Sequence, residues 1–145
     1  VQVVVDANVW LSAASASEPD HANSVGFLHA AMTMQVEFLL PALILPEVAG
    51  TVARRTRKPT DGLAFAEQLR RLPRARFLEL TMARAQAAAG LAGKAFLRGA
   101  DAQYAALAVE HHVALVTLDR ELHGRSARSL TCLTPQEWVA RFAPS

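Results

Sequence analysis

The sequence predicts an α/β protein of three layers, α/β/α, built on a central parallel sheet of four to five strands. Three observations predict it. Short, wholly apolar runs such as Val3-Val4-Val5 and Val113-Ala114-Leu115-Val116 have the β-branched composition of strands buried on both faces. They alternate with longer segments of helical pattern, as βα units do. Four acidic residues, Asp6, Glu47, Asp101 and Asp119, each stand where a strand or turn gives way to a helix. In an open parallel sheet that edge is where ligands bind.

The elements follow in order. Val1 to Val5 reads as a buried central strand, and Asn8 to Ala16 as a short helix or turn ended by Ser17-Glu18-Pro19. Asp20 is placed to cap a helix running to about Gln35, with Val25, Leu28 and Met32 on one face. Phe38-Leu39-Leu40 is a second strand stopped by Pro41. Pro46 suits the first turn of a helix that runs to about Lys58, where Pro59-Thr60-Asp61-Gly62 breaks it. Leu63 to Leu72 is helical again, with Phe65, Leu69 and Leu72 inward and Glu67 four residues before Arg71. Phe77 to Leu80 is a third strand, and Thr81 caps an Ala-rich helix expected to end near Gly90 or Gly93. A helix from Ala100 to His111, a strand from Val113 to Thr117 and a helical turn from Asp119 follow. Ser129 to Leu133 is a fifth, edge strand, and Thr134-Pro135-Gln136-Glu137 is a cap sequence for a last amphipathic helix. No repeat, low-complexity tract or long linker divides the 145 residues, so residues 1–145 are expected to form one domain.

Composition narrows the class. A hydrophobic fraction of 52% against 19% charged describes a folded globule, not a disordered chain. No apolar run approaches the roughly 18 residues of a membrane span, and the opening residues show no basic, apolar and cleavage-site pattern of a leader. Cys132 is the single cysteine, which excludes an internal disulfide and suggests a reducing, cytoplasmic location. Basic residues number 15 and acidic residues 13; without the four acids at helix starts, nine acidic residues remain. The rest of the surface is therefore basic, and mostly through Arg, whose fork suits phosphate.

Taken singly, each of the four acids is equally well explained as a helix cap or a partner of the helix dipole. Taken together, four carboxylates on one edge repel unless a cation sits among them. Hard oxygen ligands around a partly hydrated divalent ion describe a Mg²⁺ or Mn²⁺ site, and such a site points to chemistry on a phosphate.

The four acids also carry a resemblance. Val3-Val4-Val5-Asp6-Ala7-Asn8-Val9-Trp10 resembles the opening of a PIN domain, and Leu45-Pro46-Glu47-Val48 its second motif. Asp101-Ala102-Gln103-Tyr104-Ala105-Ala106-Leu107-Ala108 resembles the third, and Leu115-Val116-Thr117-Leu118-Asp119-Arg120-Glu121-Leu122 the fourth. The small bacterial members of that family are mostly VapC-type toxins of toxin–antitoxin modules. The resemblance implies a PIN-like fold and a Mg²⁺- or Mn²⁺-dependent ribonuclease, cutting RNA to a 5′-phosphate and a 3′-hydroxyl. It implies Asp6, Glu47, Asp101 and Asp119 as catalytic metal-site acids, with Asn8 and Thr117 in their hydrogen-bond network and Glu121 as an additional acid. It implies a cognate antitoxin as protein partner and a homodimer, expected through the helices between Ser24 and Leu72. The alternative is a catalytically silent PIN-like module that binds RNA or protein.

Substrate contacts are sought among the cations. Thr51, Arg54 and Lys58 share the face of Glu47 by helical spacing, and Lys94 and Arg98 precede Asp101. Arg54 and Lys58 suit a solvated helix end, where cations face the negative dipole, somewhat better than a phosphate track. No stretch interleaves basic residues with aromatics as single-strand binders do. The five histidines lack metal-ligand spacing, and Trp10 and Trp138 suit packing better than base stacking.

Overall fold

Val3, Val4 and Val5 are completely buried at the centre of a five-stranded, all-parallel sheet. The structure is a computed structural model that describes residues 1–145. The strands are β1 (Gln2–Val5), β2 (Glu37–Pro41), β3 (Ala75–Leu78), β4 (Ala114–Val116) and β5 (Cys132–Leu133). Their spatial order is β3-β2-β1-β4-β5. Val4 pairs with Leu39 on one side and Leu115 on the other, all three fully buried. Apolar residues run unbroken through these strands because helices cover both faces.

The helices are α1 (Ala7–Ala14), α2 (His21–Thr33), α3 (Ile44–Thr56), α4 (Pro59–Arg70), α5 (Met82–Ala95), α6 (Gly99–His111), α7 (Arg120–Ser126) and α8 (Pro135–Phe142). On one side α6 lies against β1, β2 and β4, with α5 packed on it. On the other, α1, α2 and α8 pack together. Trp10 meets Phe38 edge-on at 5.2 Å and Trp138 meets Phe27 at 5.0 Å, so both tryptophans are core residues. Helices α3 and α4 form an antiparallel pair whose close approach requires Gly62: a Cβ there would stand 2.2 Å from the Ala49 carbonyl oxygen.

The sheet order reverses at β1. The chain winds outward from β1 through β2 to β3, then returns to lay β4 on the free side of β1. The carboxyl ends of β1 and β4 therefore flank the crevice where doubly wound folds receive ligands. Asp6 closes β1, while Thr117 and Asp119 follow β4.

Four local expectations need correction. Asp20 makes no side-chain cap, and Val25 and Met32 are exposed; α2 buries Ser24, Phe27, Leu28 and Ala31 instead. Pro59 begins α4 at its first turn, where its missing N–H costs nothing, so residues 59–62 start the helix. The Ala-rich α5 passes through Gly90 and Gly93 and stops only at Phe96, which adopts the left-handed conformation. Strand β3 starts at Ala75 and ends at Leu78, two residues earlier than the apolar pattern implied. The Thr134 capping box with Glu137 is formed as expected, and β5 is the edge strand.

Candidate functional site

Asp6 occupies the N-cap position of α1 but makes no capping bond. Its Oδ2 accepts a 2.7 Å hydrogen bond from the Thr117 hydroxyl, and the residue is only 6% exposed. The same Thr117 oxygen accepts from the Asp119 backbone N–H at 3.0 Å and from Asn8 Nδ2 at 3.4 Å. Asn8 Oδ1 in turn accepts from the Leu118 N–H at 3.2 Å. Asp6, Asn8, Thr117 and Asp119 are thus one network across the β1–β4 crevice.

The other acids arrive on helix starts. Glu47 lies in the first turn of α3, where its Oε1 accepts from the Tyr104 hydroxyl of α6 at 2.8 Å. Asp101 lies in the first turn of α6. Asp119 caps α7, with Oδ1 accepting from the N–H groups of Glu121 at 2.9 Å and Leu122 at 3.1 Å. Its capping role is therefore realised with one oxygen, and Oδ2 has no protein partner.

Electrostatics tie the acids together. Burial pushes the Asp6 carboxyl up to about 7, against the pull of the Thr117 hydroxyl, and the Asp101 and Glu47 charges push it further. Burial also raises Glu47, while the Tyr104 hydroxyl opposes the rise and Asp101 adds to it. Asp101 is raised by burial and then by Asp119, with Arg98 acting in the opposite sense and Glu121 adding to the rise. Tyr104 is completely buried and its phenol is held far above the usual range by burial and by the Glu47 and Asp6 charges. It stays a neutral donor.

No three His, Cys, Asp or Glu side chains converge closely enough to form a closed ligand cage. The donor set is nonetheless all oxygen, mutually repelling, and partly withdrawn from water. It fits a hard divalent ion that keeps several waters and takes one or two carboxylates directly. Outside this oxygen set, Cys132 is buried with its thiol pushed up to about 12, and His21 and His123 are engaged with Ser12 and Glu137.

The remaining candidates separate. Glu121 is paired with Arg125 at 2.5 Å and Arg98 at 3.6 Å, so it holds arginines at the rim. Arg98 stands beside Asp101, while Lys94 lines a groove between α5 and α6 with Thr81, Arg84 and Val109. Arg54 donates to Thr51 on the exposed surface of α3, and Lys58 precedes α4. Tyr104 was given no role by sequence reasoning. Its spacing was the available signal: three residues after Asp101, it lies one turn along the same helix face.

The PIN domain profile matches residues 3–126 of the chain. No curated protein is recognisably similar in sequence. Among solved structures, the chain is similar to Mycobacterium tuberculosis VapC20, described as a sarcin–ricin loop cleaving toxin. The two superpose with a TM-score of 0.73 at 15% identity over 89% of this chain and 96% of that one. A chain of FitAcB from Neisseria gonorrhoeae gives 0.70 at 20% identity over 92% and 97%. A chain of a toxin–antitoxin complex from Klebsiella pneumoniae gives 0.63 at 16% identity over 93% and 98%. At these identities the likeness is one of fold.

Proposed function

The chain belongs to the PIN domain family, and from that premise we propose that it is a Mg²⁺- or Mn²⁺-dependent endoribonuclease, the toxin of a toxin–antitoxin pair. The observation that carries this reading is the buried Asp6 carboxyl at the β1–β4 crevice, raised to about 7 with Asp101 and Glu47 pressing on it. A carboxylate kept at such cost in a fold's ligand crevice is a functional-site signature.

Asp6, Glu47, Asp101 and Asp119 are the residues that would hold the ion. When bound, a divalent cation supplies Lewis-acid polarisation of the phosphate and a more acidic water. The chain's own residues supply position. Thr117 fixes Asp6, and Asn8, itself held by the Leu118 N–H, donates to Thr117. Tyr104 orients Glu47 from the opposite helix. Arg98, with most of its side chain exposed, is placed to receive a phosphate oxygen beside Asp101. Hydrolysis by this route leaves a 5′-phosphate and a 3′-hydroxyl, with no covalent enzyme intermediate.

A protein partner is part of the reading. The solved FitAcB and Klebsiella pneumoniae proteins are similar in fold, and the latter is described as a toxin–antitoxin complex. An apolar hollow of about 240 Å³ between α1, α2 and α4, lined by Trp10, Leu28, Met32, Phe65 and Leu72, has the character an antitoxin segment would need. Exposed Val25 and Leu63 on α2 and α4 suit the homodimer expected through the same helices. No helix is long and apolar enough to cross a membrane; the cytoplasmic location in this reading rests on the single free Cys132, which suits a reducing compartment.

The test is cleavage of a mixed structured and single-stranded RNA pool in Mg²⁺, Mn²⁺ or EDTA, with Asp101→Asn beside the wild type. Metal-dependent cutting by the wild type alone, with 5′-phosphate ends, is expected. Cutting that survives in Asp101→Asn, or ends carrying a 2′,3′-cyclic phosphate, would reject the mechanism. No cutting by either folded protein would favour a silent binding module.

A further inference from the structure

Phe96 ends α5 in the left-handed conformation, at φ 55° and ψ 42°. Helices usually stop there with Gly, because a Cβ makes that conformation costly. Phe incurs the strain and obtains no burial in return: it is 78% exposed, the most exposed aromatic of the chain. Packing does not explain its ring.

Its surroundings do. Arg125 Nη1 donates to the Phe96 carbonyl at 2.7 Å and also pairs with Glu121 at 2.5 Å. Glu121 meets Arg98 at 3.6 Å, and both Glu121 and Arg98 act on the Asp101 carboxyl. A chain of contacts thus runs from the Phe96 backbone through Arg125 and Glu121 to Arg98, whose charge reaches Asp101 at the acidic crevice. The side chain of Arg98 is 77% exposed on the same rim. The loop between α5 and α6 and the helix α7, distant in sequence, thus meet in a patch that carries an exposed Phe96, the Arg125 that holds its backbone, and Arg98 two residues on.

We propose that Phe96 is a stacking platform for an unpaired base of a single-stranded RNA segment, with Arg98 and Arg125 drawing the adjoining phosphates toward Asp101. The chemistry is that of single-strand binders, which pair a cationic track for the backbone with an aromatic face that every base can use. The Arg125 tether holds the loop, so the ring is presented on a fixed backbone and little ordering is left to binding. A protein contact is disfavoured because a lone aromatic flanked by exposed arginines matches a polyanion better than an apolar patch.

This inference rests on the ribonuclease reading, and its test separates the two. Binding of a single-stranded RNA decamer carrying one 2-aminopurine is measured with Ca²⁺ replacing Mg²⁺, for wild type, Phe96→Ala, Phe96→Leu and Phe96→Trp. Sedimentation of each variant and Mg²⁺-dependent cleavage are measured alongside. Phe96→Ala is expected to weaken binding by about 5- to 150-fold, the loss of one stacked base. It should also abolish the 2-aminopurine quenching, raise KM and leave kcat nearly unchanged. Phe96→Trp should restore binding and Phe96→Leu should not. Equal affinity and quenching in Phe96→Ala, or full restoration by Leu, would overturn the platform while wild-type cleavage stands. A changed sedimentation with unchanged RNA affinity would overturn it in favour of a protein contact. Wild type that neither binds nor cuts RNA would overturn both readings together.

Discussion

The Thr117 hydroxyl donates to the Asp6 carboxylate at 2.7 Å in the buried crevice between β1 and β4. That oxygen also accepts the Asp119 N–H, so one side chain positions two of the acids. Thr117→Val keeps the shape and removes both bonds together with the longer one from Asn8 Nδ2. It should cost about 1–3 kcal/mol of stability, because the Asp119 N–H and the Asp6 carboxyl lose their partner. Thr117→Ser should retain most of it. Urea denaturation of the three proteins checks this, and equal midpoints for Val and wild type would refute the role.

Asp6 makes the metal-free protein less stable as pH rises. Its carboxyl is raised from the usual 3.8 to about 7, chiefly by burial. Between those values the folded state holds a proton that the unfolded state releases, so the stabilising contribution is complete below about pH 4. It is lost as pH climbs through 7. Three pKa units correspond to about 4 kcal/mol as an upper figure. Asp6→Asn should therefore flatten the stability profile in EDTA between pH 4 and 8, and be more stable than wild type at pH 8. The same slope in both proteins would show that another group carries it.

Metal binding should run the opposite way with pH. An ion must displace the Asp6 proton below about pH 7. Mn²⁺ affinity, measured by calorimetry, is expected to fall by up to tenfold per pH unit below that point and to level off above it. A flat profile from pH 5 to 8 would place the ion away from Asp6.

What the sequence reveals and what it hides divides along physical lines. Val3-Val4-Val5 and the Thr134 capping box were legible because a short segment determines its own state there. The end of α5 was not, because the helix stops at Phe96, a residue without the usual stop signal, and runs through two glycines. The apolar face of α2 formed by Val25, Leu28 and Met32 coincides with its buried face only at Leu28, since Phe27 and Ala31 meet the core while Val25 and Met32 are exposed. Helix α2 contacts both α1 and α8, and those partners determine which stripe is buried. At the site, the four acids were visible one by one, but Tyr104 reaches Glu47 across 57 positions. Contacts of that span leave no local pattern to read.

The α3–α4 pair offers a test free of the site. A Cβ at Gly62 would lie 2.2 Å from the Ala49 carbonyl oxygen, with Ala49 carbon and Ala53 Cβ both at 3.1 Å. Backbone cannot yield cheaply, so Gly62→Ala should lose about 1–3 kcal/mol. At Gly90 nothing lies within 4 Å, and Gly90→Ala in the middle of α5 should stabilise by about 0.5–1 kcal/mol. Thermal unfolding of both variants decides, and matching shifts would show that helix propensity alone is at work.

Tyr104 is expected to act through Glu47. Its hydroxyl donates to Glu47 Oε1 at 2.8 Å from a fully buried ring, and both Glu47 and Asp6 lie close enough to act on its proton. Tyr104→Phe preserves the ring's packing and removes only the hydroxyl. Glu47 is then free to rotate away from the crevice, and the bond that favours its charged form is gone. Partners that orient metal ligands typically matter by 10- to 100-fold in metal affinity or activity. A Mn²⁺ affinity lower by that factor is therefore expected, with a matching rise in the Mn²⁺ concentration that half-saturates cleavage. The unfolding midpoint should fall by no more than one buried hydrogen bond warrants, about 1 kcal/mol. A lower midpoint with unchanged Mn²⁺ affinity would mean that Tyr104 merely fills the core between α3 and α6. Unchanged stability with weakened Mn²⁺ binding would identify the hydroxyl as the device that aims Glu47.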